Sequence, residues 1–196
     1  MDSKNQQSLA LFLSYVLSPI TVSFFILAFL SFFGPTSVIV YPPIYGFSLG
    51  MFFLCIYPMI PILYQYHRGA VDLWVSDRKQ RTILYLLSIF GYLIYALLCF
   101  YLSYHVLFVF SISYFFVAMA LLIINLFTKI SSHTAGLAGP LTAVTYIYGV
   151  ITLPLFLLLF LLFWARSVLK AHTFFQLLEG SITAVLITYL VFFFIY

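Results

Sequence analysis

Arg166 and His172, both able to meet an anion, sit close to Gln176 and Glu179 near the end of the chain, in Arg166-Ser-Val-Leu-Lys-Ala-His172-Thr-Phe-Phe-Gln176-Leu-Leu-Glu179. If a turn here leads into a helix, His172 and Gln176 are four apart and Gln176 and Glu179 three apart, which gathers them near one another. A second cluster, Lys129-Ile130-Ser131-Ser132-His133, directly precedes a segment that reads as a helix beginning near Thr134. A helix start presents unpaired N–H groups and the positive end of its dipole, so it is a natural anion site. Arg78, Lys79 and Arg81 form a third basic group. Guanidinium forks grip oxyanions bidentately, and imidazole acts as nucleophile or acid near neutral pH. The ordinary alternative is that these are interfacial residues whose charged ends snorkel out of a bilayer.

The elements that must position these residues are set by composition. Of 196 residues, 65% are hydrophobic and 6% charged, against about 25% charged in a soluble domain. Bilayer helices need roughly 20 apolar residues each, so this length allows about six spans in one integral membrane domain. The apolar runs cover about 9–33, 44–65, 82–104, 106–127, 134–163 and 177–196. A barrel would alternate polar and apolar positions, whereas Leu155 to Phe163 is apolar on every side, so the expected fold is an all-α helix bundle. The first run lacks a small-residue cleavage site and is expected to stay as a helix. Cys55 and Cys99 lie in apolar stretches without metal-ligand spacing and read as buried thiols.

Three polar connections remain, 67–81, 128–133 and 166–179. One straight helix over 134–163 would run about 45 Å, longer than the hydrocarbon is thick. A break around Gly149 to Pro154 folds it back and returns Arg166 to the face that holds His133. All eight Lys and Arg then share one face, which the positive-inside rule assigns to the cytoplasm.

The motif-bearing stretch, about 72–180, resembles the type-2 phosphatidic acid phosphatase superfamily, membrane enzymes that hydrolyse lipid phosphates and prenyl diphosphates. Its third motif, Ser-Arg, five residues, His, three residues, Asp, is met here by Ala165-Arg166, His172 and Gln176. Its second, Pro-Ser-Gly-His, is met by Ile130-Ser131-Ser132-His133. Its first, Lys, six residues, Arg-Pro, falls on Trp74 and Arg81-Thr82. The resemblance implies a phosphatase working through phosphohistidine, with His172 as nucleophile, His133 as general acid, and Arg81 and Arg166 clamping phosphate, without metal or other cofactor. Ser131 and Ser132 fall in the second motif. Gln176 replaces the Asp that supports the nucleophile, a role its amide oxygen is expected to fill by accepting an N–H, with Glu179 supplying charge from one turn on. Lys129, Arg78 or Lys79 stands in for the absent lysine.

Asp72 and Asp77 read as partners of Arg68, Arg78 or Arg81 rather than as a cation site, and His105 as an interfacial residue of the opposite face. The implied partners are a lipid or prenyl phosphate and the bilayer, with no nucleic acid; the oligomeric state is left open. A phosphotransferase, or a non-catalytic lipid-phosphate binder of the same fold, are the competing functions.

Overall fold

The computed structural model describes residues 3–35, 41–72, 75 and 77–196, which leaves Trp74 outside. Among these residues all regular structure is helical. Helices α1 (Ser3–Val16) and α2 (Pro19–Phe33) are followed by α3 (Pro43–Gly50), a π-turn (Met51–Ile56) and α4 (Tyr57–His67), which form one continuous helix. Then come α5 (Arg78–Tyr101), α6 (His105–Asn125), α7 (Ser132–Tyr148), a 3-10 segment (Val150–Phe156), α8 (Leu157–Val168) and α9 (Phe174–Ile195). Five helical stretches are long and apolar enough to cross a bilayer, and the α1–α2 pair makes a sixth if taken as one bent span. The chain is a multi-pass membrane protein. Phe25, Phe90, Phe160, Leu186 and many other large apolar side chains are exposed, as lipid-facing positions must be.

The expected break in 134–163 is present. α7 stops at Gly149, whose φ of 80° is open to a residue without Cβ. Pro154 lies in the 3-10 turns that follow, and α8 then brings Arg166 back to His133, near which it lies. α7 is only 17 residues, about 25 Å, and is the interior helix: Thr134, Ala135 and every residue from Leu137 to Val144 are buried.

The run 9–33, read above as a single span, is in fact divided. Ser18 caps α2, its Oγ accepting the Thr21 N–H, and Pro19 occupies the first turn, where its missing donor is not needed. The result is a 40° bend between α1 and α2. α2 alone accompanies α7, from Pro19 against Gly136 to Phe33, whose carbonyl accepts the Tyr148 hydroxyl. α1 leans away and packs on α8. In the second span Pro58 lacks an N–H and its ring displaces the carbonyl one turn back, so the helix widens and Tyr57 N–H bonds Phe52 O instead.

Two ends of the bundle are thereby defined. Tyr104, Pro42, His105 and Tyr196 meet at one, where the Tyr104 hydroxyl donates to Pro42 O and the His105 and Tyr196 rings stack. Val75 and the 77–81, 128–133 and 166–176 segments meet at the other.

Candidate active site

Each catalytic candidate is held by a local device. Asp77 caps α5, its Oδ1 accepting the Lys79 N–H at 3.0 Å; this, rather than the expected ion pair, is where its carboxylate is used. One turn on, Arg81 is buried. Its Nε donates to Val75 O at 2.7 Å and its Nη1 to Ile130 O at 3.2 Å, so it ties the first polar connection to the second. Two of its five N–H donors are so engaged, and the Tyr85 hydroxyl lies beside the guanidinium.

Ser131 caps α7, accepting the Thr134 N–H, while its own N–H donates to Gln176 O. Thr134 Oγ1 donates to Leu177 O at 2.9 Å. These bonds lay the His133 loop on the first turns of α9. Gly180 makes the approach possible: a Cβ there would lie 2.4 Å from Ser131 O and 2.6 Å from Thr134 Oγ1. His133 points inward, with Arg166, His172 and Arg81 as its ionisable neighbours.

His172 is delivered by the end of α8. Ala171 N–H donates to Arg166 O and Lys170 N–H to Ser167 O, the two bonds of a Schellman motif, with Lys170 left-handed at φ 50° where glycine is usual. The imidazole is buried, and its Nδ1 lies 3.1 Å from Lys129 O. A carbonyl only accepts, so Nδ1 carries the proton and Nε2 the free lone pair. Burial, then the charges of Arg81, Arg166 and Lys129, push its pKa down to about 4. Lys129 itself is lowered, first by burial and then by the two arginines, against an opposing pull from Asp72.

The structure thus brings together His172, His133, Arg81, Arg166 and Lys129. It does not bring Gln176 to His172. Thr173 Oγ1 accepts the Gln176 N–H and Gln176 Oε1 accepts the Thr173 N–H, a capping box that starts α9. The expected support for the imidazole comes instead from the Lys129 carbonyl. Glu179 accepts the Thr128 hydroxyl at 2.9 Å, so it braces the second connection rather than serving His172. Ser132 lines the inner cavity beside His133. Arg78 lends its carbonyl to the Asn125 amide, Lys79 is exposed, and neither lines the cavity. Tyr85, between Arg81 and Ser132, is a further member of this group. Sequence reasoning missed it because nothing in its spacing distinguishes it from other membrane tyrosines.

A cavity of about 430 Å³ opens below His133, Arg81 and Ser132 and runs into the bundle. His172 and Arg166 are not in its lining; they lie beyond His133 and Arg81. The site therefore has a cationic end and an apolar end, with His133 at the boundary. No family model, curated protein or solved structure matches the chain.

Proposed function

We propose that the chain is a membrane phosphatase that hydrolyses a lipid phosphate or isoprenoid (di)phosphate through a phosphohistidine on His172, as its resemblance to the type-2 phosphatidic acid phosphatases implies. The observation that carries the reading is the His172–Lys129 carbonyl contact beside the charges of Arg81, Arg166 and Lys129. It leaves a neutral imidazole with Nε2 free, beside three positive groups that a phosphate would neutralise. Phosphoryl transfer asks for that combination of positioning and charge. In the first step Nε2 attacks phosphorus, the P–N bond forms and the P–O ester bond breaks. The departing alkoxide takes a proton from His133, whose imidazolium the bound phosphate's charge offsets against Arg166 and Arg81, and which faces the apolar cavity where a tail would lie. In the second, water attacks the phosphohistidine, His133 accepts its proton, and inorganic phosphate leaves.

A second reading, a lipid-phosphate binder with little turnover, is favoured by one feature: a carbonyl, not a carboxylate, meets Nδ1 and cannot offset an imidazolium charge. In serine proteases the Asp to Asn change costs about 10⁴ in turnover. Phosphate release by the purified protein from phosphatidate, phosphatidylglycerophosphate and polyprenyl diphosphates separates the two. Release on any of them supports the phosphatase, and binding without release supports the binder.

The proposal extends to orientation, with the basic end in the cytoplasm, because all eight Lys and Arg fall at residues 4, 68–81, 129 and 166–170. Single cysteines from Arg68→Cys and Tyr196→Cys, labelled from outside intact cells, test it. Preferential labelling at position 68 would reverse the assignment.

A further inference from the structure

The cavity below His133 has a definite depth, fixed by a stripe on α5. Arg81, Leu84, Ser88 and Tyr92 line it in succession. From Arg81 to Tyr92 the helix rises about 16 Å, at ~1.5 Å per residue. α7 contributes Ala135, Gly136 and Gly139 to the wall.

At the far end Tyr92 meets Tyr114 edge to face, centroids 5.5 Å apart, and the Tyr114 hydroxyl lies 2.7 Å from Ser23 Oγ. That chain of contacts ties α5, α6 and α2 across the bottom. Beneath it the core is filled: Leu27, Tyr95 and Phe110 are fully buried, and Tyr95 donates to Gly46 O. The cavity is therefore closed below by these rings, with Arg81 and His133 at its mouth.

Resting on the phosphatase reading of the same site, we propose that this cavity measures the substrate's tail. Tyr92, Tyr114 and Ser23 form the stop, and the preferred substrate is a phosphate whose chain reaches it and no further. About 16 Å accommodates roughly a dozen carbons in a zigzag of ~1.5 Å bonds. Each methylene that enters is removed from water, so kcat/KM rises with chain length until the floor is reached and then stays level. The expected gain is up to about fourfold per methylene, the equivalent of ~0.8 kcal/mol each.

The test is a series of monoalkyl phosphates from butyl to octadecyl, on the full chain in nanodiscs. The rise should stop near dodecyl. Ser88→Phe, placed about 10 Å below Arg81, should move the stop to shorter chains. Ala118→Leu, from the α6 wall, should do the same if the first variant misfolds.

A second readout does not need turnover. Dodecyl phosphate with a diazirine on its last carbon should label Tyr92, Tyr114 or Val117. Labelling of outward residues such as Phe90 or Phe116, or kinetics with no break in chain length, overturns the ruler. Labelling at the floor without any phosphate release leaves the ruler standing and refutes the phosphatase.

Discussion

Because His172 is buried among cations, lowering the pH should destabilise the protein by a calculable amount. Its pKa is pushed down to about 4 from an ordinary 6.5. Between these values an unfolded chain binds a proton at this histidine and the folded one does not. Stability must then rise with pH across that window, be fully present above about 6.5, and be lost as pH falls toward 4. From 6.5 to about 4, at ~1.36 kcal/mol per pH unit, this corresponds to about 3 kcal/mol. The assay is unfolding in detergent from pH 4 to 7, comparing wild type with His172→Gln. The variant keeps an N–H for the Lys129 carbonyl but cannot titrate, so it should lose that part of the slope while His133 contributes to both. Saturating inorganic phosphate should flatten the wild-type curve, because an anion opposes the arginines. Superimposable pH profiles for the two proteins would refute the buried, cation-surrounded imidazole.

Gly180→Ala should force the Ser131 loop off α9 and misplace His133; a shift of order 1 Å costs about 10²-fold in turnover, and kcat/KM with tail-free phenyl phosphate measures it. Lys170→Gly relieves a left-handed residue and should raise the unfolding temperature, by a free energy of about 1 kcal/mol, with turnover unchanged. Gln176→Asp should not raise activity, since position 176 faces Thr173 rather than His172; it should instead weaken the cap by about 1 kcal/mol, which thermal unfolding and phosphate release together report.

The membrane helices were legible because apolar runs of span length have few other homes. The break near Gly149 was legible because 134–163 is too long to cross once and carries both a glycine and a proline. The bend at Ser18–Pro19 was not, because the apolar run continues through it and only the cap and the fixed proline φ divide the helix. At the site, the Arg166–His172 and Ser131–His133 spacings identified the side chains that converge. What spacing does not encode is the backbone: the carbonyls of Lys129, Val75 and Ile130 hold His172 and Arg81, and any residue has a carbonyl. Gln176 was misread for a different reason. Thr173-x-x-Gln176 is itself a capping-box pattern, and the short-range demand of four unpaired N–H groups at the start of α9 prevails over a longer reach to the imidazole. Asp77 follows the same rule at the start of α5.

Trapping the intermediate tests the central claim most directly. Wild-type protein given a radiolabelled lipid phosphate and quenched in alkali, where phosphohistidine survives, should carry label on the peptide containing His172. His133→Ala should form that species more slowly, and His172→Ala should form none and release no phosphate. Label on another residue, or turnover that survives His172→Ala, would contradict the mechanism.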